Sequence, residues 1–367
     1  MNTPEIKLSA LKEKVNYLII GQGITGTWLS YFLQKNNQTF KVVNNSNKTS
    51  ATSVASGVIN PVTGRRIVQT WMIEEILPFT EAAYHSMQEQ LAINIIQKSP
   101  VVVIHPSLQM KESFEYRLAH DNIYLKLNDE AAWKELFKTP FGTGEIGECY
   151  WIDLNLMLAE WRNELIRQEN FIDVEFNVND LTVNENGVEW NEIHADKIIF
   201  CEGIHGMSNP YFNKLPFAPN KGEALIVQIP DLPKHHIYKN NITIVPWKED
   251  LFWVGSNYEW DFNDLLPSES FKEKMITSLD ALLKTPYKII DHLVGIRPAN
   301  TQRRPFVGFH PDYPAIGICN GMGTKGCSLA PYFANQLVQH VINGTPIHPE
   351  ATINRFNLST KNTSDPI

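Results

Sequence analysis

Three stretches of this chain have residue types and spacing that can do chemistry. The first is Gly21-Gln22-Gly23-Ile24-Thr25-Gly26, a G-x-G-x-x-G turn. In such a turn Gly21 permits a tight reversal, Gly23 lets a pyrophosphate approach bare backbone, and Gly26 lets a helix pack close to a strand. The helix that opens at Ile24 and Thr25 offers unpaired N–H groups and a partial positive charge to phosphates. The alternative is a glycine-rich turn with no ligand. The second stretch, residues 49–61, is small and hydroxyl-rich, with Ser53, Ala55, Ser56, Gly57 and Val58 at its centre. Small residues let a loop lie flat against a planar ring, and hydroxyls can bond phosphate, although an ordinary polar loop reads the same way. The third is Gly321-Met322-Gly323-Thr324-Lys325-Gly326, a second glycine turn leading into a helical pattern.

The elements around these stretches give them a context. An apolar run over residues 15–20 precedes the first turn. Trp28, Leu29, Phe32 and Leu33 follow at helical spacing, and an extended pattern resumes at residues 41–43. That is strand, glycine turn, helix, strand, the setting of a dinucleotide fingerprint. An acidic residue usually ends the second strand and binds a ribose. Here Asn44 or Asn45 stands there, and an amide oxygen can accept from a ribose hydroxyl without charge assistance. An amide also avoids repelling a 2′-phosphate, so this position leaves NADP open. Further along, the patterns predict helices over 73–91 and 154–169 and a strand over 101–104. Strands over 174–176, 181–183 and 187–190 form a predicted three-stranded meander. A buried strand at 197–200 ends in Cys201-Glu202-Gly203. Antiparallel segments follow at 223–229 and 242–254, then a helix over 268–283, a strand over 316–319 and a helix over 329–341. Residues from Thr360 onward are expected to fray.

Composition bounds the answer. At 367 residues with 43% hydrophobic and 20% charged residues, the chain is expected to be a soluble protein of two domains, or of one with an insertion. A formal charge of −8 with no basic block speaks against autonomous nucleic-acid binding. The four cysteines have no C-x-x-C or histidine spacing, so no metal site is expected and a reducing, cytoplasmic setting is. No apolar run is long enough to span a membrane, and the first 20 residues carry no signal-peptide core.

Four motifs stand in one order: GQGITG, TSVASGVINP, IIFCEG, and GIRP…RRPFVG…GMGTKG. In this they resemble the D-amino-acid oxidase/glycine oxidase family of FAD-dependent amine oxidoreductases. The segment GMGTKGCSLAPYFA also resembles the FAD-dependent oxidase half of the bifunctional tRNA methylaminomethyl-thiouridine enzyme. The resemblance implies an α/β (α+β overall) architecture. A glutathione-reductase-type, Rossmann-like FAD domain would be assembled from residues 1–90, 150–222 and 290–367. An antiparallel-sheet substrate domain would come from 91–149 and 223–289.

It further implies FAD held by Gly21, Gly23, Ile24, Thr25, Gly26, Asn44 and Asn45. Ser53, Ala55, Ser56, Gly57 and Val58 would lie near the flavin, Cys201, Glu202 and Gly203 along the cofactor, and Gly323, Thr324, Lys325 and Gly326 at the pyrimidine side of the ring. A helix N-terminus with Lys325 beside it would stabilise negative charge on a reduced flavin, unless Lys325 is simply a surface lysine. The implied substrate clamp is Arg297, whose planar guanidinium can hold a carboxylate by parallel hydrogen bonds; the structural alternative is pairing with Asp291. Tyr258 is either a pocket residue or a core tyrosine. Arg65 and Arg66 could add charge for a larger anion. Ala299 stands where covalent members have cysteine, so FAD is expected to be non-covalent.

The expected activity is oxidation of the C–N bond of an amino acid or secondary amine by hydride transfer to flavin N5, with a small-molecule substrate. The alternatives are removal of a carboxymethyl group from a modified tRNA wobble uridine, an NAD(P)-dependent dehydrogenase, and a non-catalytic nucleotide-binding protein.

Overall fold

The computed structural model describes residues 13–64, 67–120 and 123–359. Arg65, Arg66, the first 12 residues and the tail from Thr360 lie outside the described residues. In chain order the elements that position the site begin with β1 (Glu13–Ile20), α1 (Ile24–Lys35), β2 (Phe40–Asn44) and α2 (Ile73–Leu91). Then come β3 (Val101–Ile104), β4 (Leu125–Lys126), β5 (Thr143–Ile146) and α3 (Leu154–Arg167). A run of strands follows: β6 (Phe171–Asp173), β7 (Leu181–Asn184), β8 (Gly187–Trp190), β9 (Ile193–Phe200), β10 (Asn220–Gln228), β11 (Ile237–Lys239), β12 (Thr243–Pro246) and β13 (Leu251–Gly255). The last are α4 (Glu269–Leu282), β14 (Lys288–Arg297), β15 (Phe306–Phe309), β16 (Ile316–Asn320) and α5 (Gly326–Asn343).

Two eight-stranded sheets organise the chain. The first runs β6-β2-β1-β9-β8-β7, with β16 on the free half of β9 and β15 on β16. Its centre is parallel: β1 pairs with β2 and β9, β9 with β16, and β2 with β6. These strands read as continuous Ile/Val/Leu runs because helices cover the sheet. Residues 18–20, 42–43 and 198–200 are buried throughout. Helix α1 buries nine consecutive residues, Thr25 to Leu33, beneath α5, α2 and α3, which explains why its apolar pattern has no polar side. The second sheet runs β14-β10-β13-β12-β11-β3-β5-β4, antiparallel except for β11 beside β3. Both β10 and β14 belong to it over their full lengths, from Asn220 and as far as Arg297.

One expected strand is displaced. Residues 174–176 form no strand; the pairing segment is β6, one step earlier, which lies parallel to β2 at the edge of the first sheet. The alternating pattern at 174–176 arises because Phe176 packs on Trp190 and Phe200 from a loop. The meander is instead β7-β8-β9. The α4 cap follows from sequence chemistry, the Ser268 side chain accepting from Phe271 N–H. Pro331 lies inside α5 and leaves the Cys327 carbonyl without its helical donor; the buried Tyr84 hydroxyl donates to it at 3.1 Å. No helix among the described residues is long and apolar enough to cross a membrane.

Candidate active site

A cavity of about 910 Å³ is lined by both sheets, and both glycine turns open into it. At the β1–α1 turn the glycine requirements are steric. Gly21 has φ +98°, and a Cβ there would lie 2.6 Å from the Cys201 carbonyl oxygen. A Cβ on Gly26 would lie 1.9 Å from the Gly21 oxygen, so Gly26 sets helix-to-strand packing and does not itself line the cavity. Gly23 faces the cavity, where only Thr52 Oγ1 comes within 3.4 Å of its Cβ position.

The backbone donors of this turn divide cleanly. Gly21 N–H bonds the Val43 carbonyl at 2.8 Å, Gln22 N–H bonds Asn44 Oδ1 at 2.9 Å, and Ile24 N–H bonds Thr52 Oγ1 at 3.0 Å. The N–H groups of Gly23 and Thr25 find no protein acceptor among the described residues and are the ones left for phosphate. Gln22, buried between the glycines, ties the turn to α3: its amide donates to the Leu158 carbonyl at 2.9 Å and accepts from Arg162 Nε at 2.7 Å. Sequence reasoning missed Gln22 because the fingerprint leaves that position open.

Asn44 lines the cavity, and its amide oxygen accepts from Gln22 N–H, which leaves a second lone pair and the NH2 facing the ribose end. Asn45, also on the cavity, donates to Glu175 at 2.8 Å, and Lys48 pairs with the same carboxylate at 2.8 Å. Lys48 and Asn45 hold the Glu175 carboxyl below its ordinary range. An ionised carboxylate therefore stands at this end after all, supplied by the segment after β6. No local motif marked it.

Ala55, Ser56, Gly57 and Val58 line the cavity, whereas Ser53 does not; its hydroxyl closes a turn onto the Ser50 carbonyl at 2.9 Å. Trp253 Nε1 donates to the Val54 carbonyl at 3.1 Å, and Val54 fills the space above Gly295, pinning this loop to the second sheet. Cys201, Glu202 and Gly203 line the cavity at the end of β9. Burial pushes the Glu202 carboxyl up to about 7, against a hydrogen bond from Asn209 at 2.9 Å.

Gly323, Thr324, Lys325 and Gly326 all line the cavity. A Cβ on Gly326 would be 3.4 Å from Ile24 Cγ2, so the N-termini of α5 and α1 meet. Lys325 is not a solvated lysine. Its ammonium donates to the Asn60 carbonyl at 3.2 Å and Thr70 Oγ1 at 3.4 Å, and burial, followed by the neighbouring Lys239, lowers its pKa to about 8.

Arg297, the last residue of β14, reaches over Gly222 on β10. Its Nη1 donates to Asn220 Oδ1 at 2.7 Å and to the Asn257 carbonyl at 3.1 Å, and its Nη2 donates to Ser256 Oγ at 2.8 Å. It pairs with these neutral groups and not with Asp291. Three of its five N–H groups are thus spent, and Nε–H is among the two left. The Tyr258 ring lies 4.6 Å from the guanidinium carbon; at 58% exposure it is no core residue, and it lines the cavity. Behind Arg297, the buried Glu223 accepts from Asn257 at 3.2 Å and Ser268 Oγ at 2.7 Å and lies 2.9 Å from His292 Nε2. That network fixes the segment carrying Asn257 and Tyr258. No cluster of three or more His, Cys, Asp or Glu suited to a metal occurs among the described residues.

Comparison with known proteins gives a family and a fold. The family model described as FAD dependent oxidoreductase (DAO) matches residues 16–340. Glycine oxidase of Bacillus subtilis (strain 168) is 24% identical over 354 residues, covering 88% of this chain and 91% of that protein. The crystal structure of glycine oxidase from Geobacillus kaustophilus has the same fold, with a TM-score of 0.76 at 16% identity over 95% of this chain and 99% of that one. So does iminodiacetate oxidase from Chelativorans sp. BNC1, with a TM-score of 0.75 at 18% identity over 92% and 99%.

Proposed function

This chain belongs to the FAD dependent oxidoreductase family, and we propose that it oxidises the C–N bond of a small carboxylated amine, an amino acid or N-substituted amino acid. The observation that carries the reading is Arg297, a partly buried guanidinium with spare N–H donors, on the sheet wall of the cavity that also holds the second glycine turn. A permanently charged planar donor with no carboxylate partner among the described residues suits a substrate carboxylate. The Bacillus subtilis relative is named for glycine, a molecule of this class.

The cavity fits FAD. Free Gly23 and Thr25 N–H groups and the Glu175 carboxylate stand at one end, and the Gly323–Gly326 turn stands at the other. Cβ positions on Gly203 and Gly323 meet no atom closer than 3.9 Å. We assign the cofactor to the half built on the first sheet and the substrate to the half built on the second. Bound FAD supplies the two-electron acceptor. The chain supplies the rest: Arg297 fixes the carboxylate so that the adjacent C–H has one orientation, and Lys325 with the α5 N-terminus sets positive charge where the reduced ring gains negative charge. A neutral amine gives up hydride without a general base.

All four cysteines are unpaired and buried, and burial raises each thiol above its ordinary range. Protonated thiols are poor nucleophiles, which supports non-covalent FAD, and unpaired cysteines support the cytoplasm. The test is anaerobic titration of the yellow holoprotein with the monocarboxylated amines glycine, sarcosine and D-alanine and the dicarboxylated amines iminodiacetate and D-glutamate. Bleaching of the flavin bands by at least one of them is expected, and inertness to all amines overturns the reading.

A further inference from the structure

The sheet wall of the cavity carries a second cation that the carboxylate clamp does not use. Lys239, the last residue of β11, pairs across the sheet with Thr243, which pairs with Gly255, then Ala224, then Leu293. All five line the cavity, so they form one row on one face of the sheet. The row is nearly flat. Apart from Lys239 it offers one hydroxyl and small or apolar side chains, and the Arg297 guanidinium lies beside it, over Gly222, two residues along β10 from Ala224. No carboxylate forms an ion pair with Lys239 or with Lys325 among the described residues. Lys325 faces the cavity from the other wall and bonds only neutral oxygens. Each ammonium is pushed down by burial, and Lys325 also by Lys239, so the two charges act on one another.

Two buried cations on facing walls of one cavity, neither paired with a carboxylate among the described residues, leave an anion site open. We infer that Lys239 holds a second acidic group of the substrate, Lys325 contributing only positive field from the flavin side, so that the substrate is a dianionic amine with one carboxylate on Arg297. This rests on the amine-oxidising reading above. The span limits the chemistry: from β10, where the guanidinium lies over Gly222, to Lys239 on β11 is three strand spacings, about 14 Å, with an offset of about 7 Å along the strand, shortened by the reach of the lysine stem. The two acidic groups are therefore separated by several bonds, and neither glycine nor sarcosine fills the site.

The experiment is spectral titration of the holoenzyme, following perturbation of the flavin absorption. The α,ω-dicarboxylates from malonate to pimelate are compared with monocarboxylates of equal chain length. At one length the dicarboxylate is expected to bind at least tenfold tighter. Lys239→Met brings it to the level of the monocarboxylate, Lys239→Arg restores the gain, and Arg297→Met weakens both ligands. The inference is overturned if no length shows a gain, if the gain survives Lys239→Met, or if that substitution shifts only the flavin midpoint potential, which would assign the lysine to the ring. A dicarboxylate gain in a protein whose flavin no amine reduces would sink the amine reading and leave the anion site standing.

Discussion

Arg297 lies against Gly222 so closely that a Cβ on that glycine would stand 2.2 Å from Nη2 and 2.3 Å from the guanidinium carbon. The glycine is therefore the floor on which the clamp rests, and it has no positive φ to explain it otherwise. Its neighbour across the sheet, Gly295, is the floor for Val54 in the hydroxyl-rich loop of residues 49–61. The paired glycines of β10 and β14 thus seat both the clamp and the loop.

Gly222→Ala tests the first of these seats. A methyl group there forces the guanidinium off its three partners, and a misplaced clamp loses orientation more than cofactor. The apparent KM for a carboxylated amine should rise by about tenfold or more, the equivalent of roughly 1.4 kcal/mol. FAD content should stay at the wild-type level. Steady-state kinetics and the flavin-to-protein absorbance ratio check both.

Asn44 holds the first glycine turn through Gln22 N–H. Asn44→Ala removes the acceptor of Gln22 N–H and leaves that donor unsatisfied, at a cost of about 1–3 kcal/mol. FAD should bind roughly 5- to 150-fold more weakly to the apoprotein, as read by flavin fluorescence. Asn44→Asp keeps the acceptor and should retain the cofactor.

Glu202 gives the apoprotein a pH dependence of known sign. Its folded pKa of about 7 stands above the ordinary value of 4.5. Between those values the folded state keeps a proton that the unfolded state has lost, so stability falls as pH rises through the window. Over 2.5 units the loss is on the order of 3 kcal/mol. Glu202→Gln should flatten the decline, leaving the variant apoprotein more stable than wild type at pH 8 in urea melts and no less so at pH 5.

Lys325 should tune the flavin. With a pKa of about 8 its charge is present below that pH and fades above it. Lys325→Met is expected to lower the midpoint potential of bound FAD by tens of millivolts at pH 7, at about 30 mV for each ~1.4 kcal/mol of lost stabilisation. The difference between variant and wild type should shrink above pH 8. Spectroelectrochemistry at pH 7 and 9 reads it.

What was legible in the sequence is what local chemistry dictates. The two glycine turns, the strand–turn–helix around Gly21 and the Ser268 cap are set by neighbours in the chain. Long-range partners were not legible. Gln22 stands out in no local pattern because its partners lie on α3, and Glu175 reaches the cavity beside Asn45 because β6 adds to β2. Lys239 joins the site through a row of cross-strand pairs spanning five strands, and nothing in its own neighbourhood marks it. The misplaced strand at 174–176 has the same origin, since Phe176 gains its burial from Trp190 and Phe200 without any strand partner.

The most direct test of the account is the visible spectrum of the holoprotein mixed anaerobically with a carboxylated amine, beside Arg297→Met and beside NADPH. Loss of the oxidised flavin bands is expected with the amine, slowed at least tenfold at equal amine concentration in Arg297→Met, with no response to NADPH. Bleaching by NADPH alone, or equal rates in wild type and variant, would contradict it.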